Sequence, residues 1–330
     1  MKTNGKLPVY VAGFFAGFCA LLMPVMPSFG AGFEWQKQDK AVGLMKDGKL
    51  VWKFNYDSKL APKPFFHPVA VAGGAPLTWQ SPPDHPWHHA LWFSWKYLNK
   101  INYWEPNKEG VPDGATEWSN VKVDTRPDYS ARIEMDLQYR PQKAEKPVLT
   151  EKRVVVISAP AADGSYQMDW AMAFTAGAED VKLDRTPIAG QPGGVPWGGY
   201  AGLSVRFARE LKDVRVEATA DKGKFENQRY GFSATATDYN GVIDGGEAGL
   251  AILDHPSNPR HPTRWYAIAD PKQPFWYINA AFLQLEPYVL PAQQTITLRY
   301  RLIVHPGRWT SEQLEQKHKQ YSSEPATQLK

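Results

Sequence analysis

Apolar and polar residues alternate with a period of two through much of this sequence, and no other feature constrains the fold as strongly. Residues 166–176 and 294–305 show the pattern over most of their lengths. A β-strand points successive side chains to opposite faces, so the pattern predicts antiparallel strands that bury one face. The apolar positions are Tyr166, Met168, Trp170, Met172 and Phe174 in the first segment, and Ile296, Leu298, Tyr300, Leu302 and Val304 in the second.

Segments with strand character recur along the chain, whereas helical signals are scarce. Clusters of Gly, Pro, Asp and Asn separate most of these segments, which is typical of turns. Thr310 and Gln313 can form a capping box, which predicts one short helix near residues 310–322. Many strands, few helices and 28 prolines predict an all-β fold, a large antiparallel β-sandwich. The further strand candidates are residues 50–56, 131–140, 153–158, 202–208, 214–220, 249–255 and 275–283.

Residues 1–31 have the pattern of a secretory signal peptide. Lys2 precedes an apolar run over residues 9–23, and small residues follow that run. The run is short for a membrane span, so we expect cleavage and export to the periplasm or the medium; the alternative is an uncleaved anchor. Residues 32–330 are then expected to form a single large domain.

One segment concentrates histidines and tryptophans: SPPDHPWHHALWFSWKYLNKINYWEPN, residues 81–107. His85, His88 and His89 lie within five positions, but Pro86 interrupts them and disfavours the helix on which paired histidines bind zinc. Three interpretations are open for these histidines. They can be metal ligands, acid–base groups of a metal-free site, or structural side chains bonded within a loop.

The motif Asp-His-Pro occurs twice, at residues 84–86 and 254–256, and basic and aromatic residues follow the second copy. Two such loops at one end of a sandwich predict a shared cleft, in which the histidines of both segments lie within side-chain reach of each other. The alternative is that Asp-His-Pro is only a favourable turn, in which Asp accepts backbone hydrogen bonds and Pro fixes φ.

These segments supply the candidate site residues. Histidines can move protons near neutral pH, carboxylates can tune them, and Trp rings can stack on sugars. The predicted catalytic residues are Asp84, His85, His88 and Asp254. The predicted substrate-binding residues are Trp87, His89, Trp104, Glu105, His255, His261, Arg264 and Trp265. We expect no cofactor; the alternative is a divalent metal held by His85, His88, His255 and His261.

The charge pattern argues against a nucleic-acid partner. The formal net charge is +4, and the Lys and Arg residues are spread along the chain without a basic run. No stable membrane span is expected in the mature protein either.

Four motifs resemble those of the DUF6807 family: HPVAVAGGAPLTWQSPPDHPWHHALWFSWKYLNKINYW, GGYAGLSVRFA, LAILDHPSNPRHPTRWY and EPYVLPAQQTITLRYRLIVHPGRW. The resemblance spans roughly residues 45–315. The family's Asp-His-Pro-x-His motif is ordinarily followed by Arg-Gly, whereas His89 and Ala90 stand here. The resemblance implies a secreted β-sandwich, similar to the galactose-mutarotase supersandwich, of bacteria that degrade polysaccharides.

The family also carries the label "PmoA family" or "methane oxygenase PmoA". A methane monooxygenase subunit of that name is an integral membrane protein. This chain has one short apolar segment and a mean hydropathy of −0.47, so we judge the label misleading.

Together these features predict an exported carbohydrate-active protein, an enzyme that acts on a glycoside or a modified sugar. Hydrolysis, elimination and epimerisation all move a proton at a sugar carbon or oxygen, and the sequence does not select one of them. Two alternatives remain open. The same aromatic loops suit a non-catalytic carbohydrate-binding protein, and the histidines suit a metalloenzyme.

Overall fold

The computed structural model describes residues 1, 2, 5, 32–219 and 228–329. The chain divides into Met1–Ala31 and Gly32–Lys330, and the described helix and strands all belong to the second unit. The predicted signal peptide lies outside the described residues, apart from positions 1, 2 and 5. Within the described part of the chain, no helix has both the length and the apolar character needed to cross a membrane.

Strands dominate the structure. In chain order they are β1 (Phe33–Gln38), β2 (Ala41–Lys46), β3 (Lys49–Asn55), β4 (Phe65–Val69), β5 (Leu91–Ser94), β6 (Tyr97–Leu98), β7 (Ile101–Asn102), β8 (Gly114–Thr125), β9 (Ala131–Pro141), β10 (Leu149–Ile157), β11 (Tyr166–Ala176), β12 (Val181–Asp184), β13 (Gly202–Arg206), β14 (Lys212–Ala218), β15 (Gln228–Ser233), β16 (Ala236–Ile243), β17 (Gly246–Asp254), β18 (Arg264–Asp270), β19 (Phe275–Ala280), β20 (Tyr288–Leu290) and β21 (Thr295–Pro306).

These strands form two large antiparallel sheets and one small one. The nine-stranded sheet has the order β1-β2-β3-β4-β5-β13-β19-β18-β15. The eight-stranded sheet has the order β14-β16-β17-β21-β11-β10-β9-β8, and β20-β12-β6-β7 form the small sheet. The prediction of an all-β, antiparallel sandwich is confirmed.

The main core contains apolar side chains from both large sheets. Strands β11 and β21 pair in register, with Trp170 opposite Tyr300, and all ten predicted apolar positions of these two strands are buried in that core. Every second residue of each strand therefore reaches the core, as the period-two pattern predicts.

Each large sheet also buries part of its other face. On the eight-stranded sheet, Leu253 and Ile303 pack against Leu314 of the C-terminal helix α1 (Ser311–Ser323). Thr310 is the N-cap of this helix, and the capping box with Gln313 is present. On the nine-stranded sheet the second face carries a separate aromatic cluster, which consists of Ala61, Phe65, Trp92, Trp104, Tyr266, Tyr277 and Ala281, with Trp87, Tyr200, Ile268 and Phe275 packed against it.

Candidate functional site

Residues 81–88 form a closed loop that holds two of the predicted histidines. The N–H of Ser81 donates to the carbonyl of His88 at 2.9 Å, the N–H of His85 to that of Pro82 at 3.0 Å, and the N–H of His88 to that of His85 at 2.9 Å. The prolines of this loop restrict φ and remove backbone donors, so the chain makes successive turns here instead of a helix.

A pocket of about 400 Å³ lies beside this loop, on the second face of the nine-stranded sheet. Its size lies within the range of small-molecule sites, and most of its lining side chains are aromatic. The lining residues are His85, Trp87, His88, Trp104, Glu105, Trp197, Tyr200, Tyr266, Ile268, Asp270, Gln273, Phe275 and Tyr277. We call this cavity the aromatic pocket.

Ring contacts hold the walls of the aromatic pocket in place. The ring centroids of Trp104 and Tyr200 are 5.1 Å apart, and those of Tyr200 and Tyr266 are 5.8 Å apart. The ring of His88 stacks on Tyr277 at 5.1 Å. Trp197 is the open side of the site, with 56% of its surface exposed. Most rings are therefore fixed by neighbours, while this indole can meet a ligand from solvent.

The carboxylate of Asp84 orients the ring of His85. Nδ1 of His85 lies 3.0 Å from Oδ2 of Asp84, and Nη2 of Arg206 donates to the same oxygen at 2.7 Å. A carboxylate accepts at Nδ1 only if that nitrogen carries the proton, which leaves Nε2 of a neutral ring as a base. Among the residues that the structure describes, none forms a hydrogen bond with Nε2.

The electrostatic environment keeps His85 neutral and Asp84 charged near pH 7. Burial lowers the pKa of His85 below its ordinary 6.5, although the hydrogen bond and charge of Asp84 act in the opposite direction. Burial alone would raise the pKa of Asp84, but the charge and hydrogen bond of Arg206, with a smaller contribution from His85, hold that pKa below its usual value. His88 is almost fully buried, and burial followed by the nearby charges of His85 and Arg206 places its pKa well below 6.5.

Glu105 is the carboxylate at the opposite side of His85 from Asp84 in the sense of its bonding, since it forms no part of the Asp84 network. Lys96 donates to Oε1 of Glu105, and Nδ2 of Asn102 donates to the same oxygen at 3.0 Å. The other oxygen, Oε2, is buried without a hydrogen-bond partner. Burial and the charge of Glu105 raise the pKa of Tyr200 to about 12. A ligand hydroxyl would satisfy Oε2, which otherwise carries a desolvation cost.

The structure brings five predicted site residues together in the aromatic pocket. They are His85, Trp87, His88, Trp104 and Glu105. Asp84 is not a lining residue but holds His85, as described above.

The second Asp-His-Pro segment lies elsewhere, and the prediction of one shared cleft is wrong. Asp254 ends β17 of the eight-stranded sheet and accepts from Nδ1 of His261 at 2.8 Å. The ring of His255 packs on Tyr321 of α1, with centroids 5.1 Å apart. None of these three predicted residues lines the aromatic pocket, which lies on the other large sheet. The two turns have similar sequences, but sequence similarity between turns does not decide which sheet they join.

Three further predicted binding residues also lie outside the pocket lining. Trp265 is fully buried in the main core, where Nε1 donates to the carbonyl of Ala234 at 2.8 Å. Arg264 donates to the carbonyl of Gly231 at 2.7 Å. His89 is buried, and its Nδ1 accepts from Nε2 of Gln80 at 3.1 Å. Their polar groups serve the fold, so their predicted contact with a substrate is corrected.

The predicted metal set, His85, His88, His255 and His261, is divided between the two large sheets and cannot converge on one ion. Within residues 32–219 and 228–329, no group of three or more His, Cys, Asp or Glu side chains has an arrangement that could hold a metal. The histidine-ligated alternative in that form is therefore not supported by the positions of its own ligands.

Sequence reasoning missed several residues of the site. Arg206 lies on β13, far from the histidine loop in sequence, and its guanidinium also covers the ring of Phe275 at 3.7 Å. Tyr266 and Tyr277 come from β18 and β19. The long loop at residues 186–200, which the sequence indicates as functional, does supply Trp197 and Tyr200 to the pocket. For the strand residues, only the pairing of β5, β13, β19 and β18 reveals the proximity.

Several solved structures are similar to this one in overall form. An alpha-galactosidase from Lactobacillus brevis shows 9% identity and a TM-score of 0.43, with 86% of this chain and 40% of that chain covered. The galactosidase domain of the alpha-galactosidase-sucrose kinase AgaSK shows 10% identity and a TM-score of 0.38, with 84% and 41% covered. A polysaccharide lyase shows 11% identity and a TM-score of 0.33, with 87% and 34% covered. The chain thus spans less than half of each of these proteins.

The sequence itself gives a more specific match. A comparison with curated proteins finds no match. The model of the family described as "Family of unknown function (DUF6807)" matches residues 41–319, which include the histidine loop and all the residues that line the aromatic pocket. Because this match extends over most of the chain, the protein belongs to the DUF6807 family.

Proposed function

We propose that this protein is a carbohydrate-active enzyme that binds a sugar ring in the aromatic pocket and moves a proton with His85. The observation that carries the proposal is the Asp84–His85 hydrogen bond at the wall of a pocket lined by aromatic rings. Aromatic faces pack on the apolar faces of sugar rings, and a few polar groups among them fix the orientation of the ligand. The substrate class is a glycoside or a modified sugar.

The proposed chemistry follows from the protonation states. Neutral His85 accepts a proton at Nε2, from a sugar hydroxyl, a sugar carbon or a water, and Asp84 stabilises the imidazolium that forms. Oε2 of Glu105 accepts a hydrogen bond from a sugar hydroxyl, while Lys96 and Asn102 hold the other oxygen. Proton transfer to a positioned histidine typically contributes about 10²- to 10⁴-fold to a rate.

The test begins with binding. Isothermal titration of the wild-type protein against a panel of polysaccharide fragments should find a ligand, and Trp197→Ala should weaken its affinity roughly five- to tenfold, about 1 kcal/mol of ring stacking. Val289→Ala is the matched control, because Val289 is similarly exposed at 55% and lies outside the pocket lining. If no sugar of the panel binds, the proposal fails.

The second part of the test separates catalysis from binding. With a bound sugar that is turned over, His85→Ala should lower kcat at least about 100-fold and change the Kd little. If wild-type protein binds sugars but releases no altered product under any condition, the protein is a non-catalytic binding protein and the enzymatic assignment is overturned.

We also propose that the protein is exported, to the periplasm or the medium. The pattern of residues 1–31 supports this proposal: a basic start, an apolar run and small residues after it. Fractionation of cells that express the full chain with a C-terminal tag, followed by N-terminal sequencing, should give an exported product that begins near position 32. A tagged product that stays in the cytoplasm with Met1 in place would contradict export.

A further inference from the structure

A second pocket of about 230 Å³ adjoins the aromatic pocket. Trp87, Trp104 and Glu105 line both cavities and form the wall between them. A ligand with one sugar ring in the aromatic pocket can therefore extend over this wall into its neighbour. We call the neighbour the lysine pocket, because Lys63 lines it.

The wall of the lysine pocket contains polar groups that lack partners in the protein. Lys63 is 5% exposed, and its ammonium group donates to the carbonyl of Trp104 at 3.2 Å. An ammonium group has three protons, and no other acceptor of Lys63 occurs among the described residues. The hydroxyl of Tyr103, which also lines this pocket, is buried without a partner. Both groups are hydrogen-bond donors, and both lie where a ligand would reach them.

The charges around this pocket do not balance. Lys96 forms an ion pair with Glu105, and these two charges cancel. Lys63 forms no ion pair within 4.0 Å in the described chain, so the cluster retains one positive charge. Burial lowers the pKa of Lys63 to about 8, while Glu105 raises it and Lys96 lowers it further, so the ammonium form still predominates at pH 7. A buried cation without a counter-charge is costly, and an anion in the pocket would remove that cost.

The aromatic pocket has the opposite electrostatic character. Glu105 and Asp270 are carboxylates of its lining, and none of its lining side chains is Lys or Arg. An anionic group is therefore disfavoured there, whereas a neutral ring with hydroxyls fits. The two adjoining pockets thus select different ends of one ligand.

We propose that the substrate is an acidic oligosaccharide, with a neutral ring in the aromatic pocket and the anionic group of the adjacent sugar bound by Lys63 and Tyr103 in the lysine pocket. The proposal rests on the sugar-binding function proposed above. A uronate carboxylate and a sulfate ester share the required chemistry, a compact anion that accepts several hydrogen bonds.

The experiment compares charged and uncharged ligands of the same shape. The probes are digalacturonate against its methyl ester, and a sulfated carrageenan disaccharide against its desulfated form. Each is titrated into the wild-type protein, into Lys63→Met, and into the control Lys152→Met, whose exposed lysine lies on β10 outside both pockets. Thermal unfolding checks that each variant is folded. The two pairs distinguish carboxylate from sulfate as the preferred anion.

In at least one pair the charged member should bind the wild-type protein ten times more tightly or better. Lys63→Met should abolish that preference and Lys152→Met should retain it. A second measurement needs no variant: the preference should decline between pH 7 and pH 10, as Lys63 loses its proton in the presence of Glu105 and Lys96. Equal affinity within both pairs would overturn the acidic subsite but leave the proposed function standing. Binding of no sugar at all would overturn both proposals.

Discussion

Arg206 donates a hydrogen bond from Nη2 to Oδ2 of Asp84 at 2.7 Å, although 122 positions separate the two residues in the sequence. The same oxygen lies 3.0 Å from Nδ1 of His85. The buried guanidinium therefore fixes the carboxylate, and the carboxylate fixes the imidazole. Residues that act through a histidine in this way contribute to its orientation and protonation without touching the substrate.

This relay predicts the effect of Asp84→Asn. The amide no longer stabilises an imidazolium, and its NH₂ group can face Nδ1 and favour the wrong tautomer, so kcat for the identified substrate should fall about 100-fold or more while the Kd changes less than threefold. Steady-state kinetics and titration measure the two quantities. Asp244→Asn, in an exposed turn, is the matched control and should leave both unchanged. Equal losses of affinity and rate would instead indicate a collapsed pocket.

A second prediction concerns acid stability. Burial, followed by the charge of Lys63, lowers the pKa of His89 to about 3, so the folded protein keeps this ring neutral while an unfolded chain protonates it below 6.5. The unfolded state then binds more protons, and stability is lost as the pH falls from 6.5 towards 3, by about 1.4 kcal/mol per pH unit for this group.

His89→Asn should reduce that slope, because the amide oxygen can replace Nδ1 as the acceptor for Gln80 and does not titrate. The measurement is the free energy of unfolding by urea between pH 7.5 and 4.5. Above pH 7 the two proteins should show the same pH dependence, which serves as the internal control. An unchanged slope in the variant would mean that His89 titrates normally in the folded state.

The third prediction tests the assignment of Trp265 to the core. Trp265→Ala removes a fully buried indole and should lower the free energy of unfolding by about 3–5 kcal/mol. Sugar affinity, measured at a temperature where the variant is folded, should stay within about twofold of wild type, since Trp265 is not a lining residue. A large loss of affinity with intact stability would return Trp265 to the binding site.

The fourth prediction concerns an ion pair inside the main core. Nε of Arg153 donates to Oε1 of Glu151 at 2.6 Å, and both side chains are almost wholly buried. Glu151→Gln leaves the guanidinium without a counter-charge and should cost about 3–5 kcal/mol in urea unfolding. Glu247→Gln is the control, because Glu247 pairs with Arg308 at the surface and should cost less than about 1 kcal/mol. Similar losses in both variants would contradict the argument.

The sequence predicted the strands better than it predicted their partners. Strand β11 was predictable because polar residues such as Asp169 separate its apolar positions, and one face of that strand is buried. Strand β18 carries Trp265 and Tyr266 in succession, and both are buried, one in the main core and one at the aromatic pocket. Where both faces of a strand are buried, apolar residues stand at every position and the period no longer identifies the core face.

The candidate site was predictable to the extent that it is local. Asp84, His85 and Trp87 are close in sequence, so one loop places them together. Arg206 reaches Asp84 only because β13 pairs with β5, and that pairing is a long-range property of the sheet. The Asp254 segment illustrates the converse error, since its likeness to the first loop carried no information about distance.

The position of the aromatic pocket on one sheet has a consequence for how this family can diversify. On β18 and β19, the residues that form the pocket alternate with residues that form the main core, so that Tyr266 lies between Trp265 and Ala267, and Tyr277 between Trp276 and Ile278. A substitution at a pocket position therefore changes the ligand surface without removing a side chain from between the sheets. Relatives with the same scaffold can thus acquire different ligand preferences through single replacements at every second position of two strands, each tolerated independently of the others.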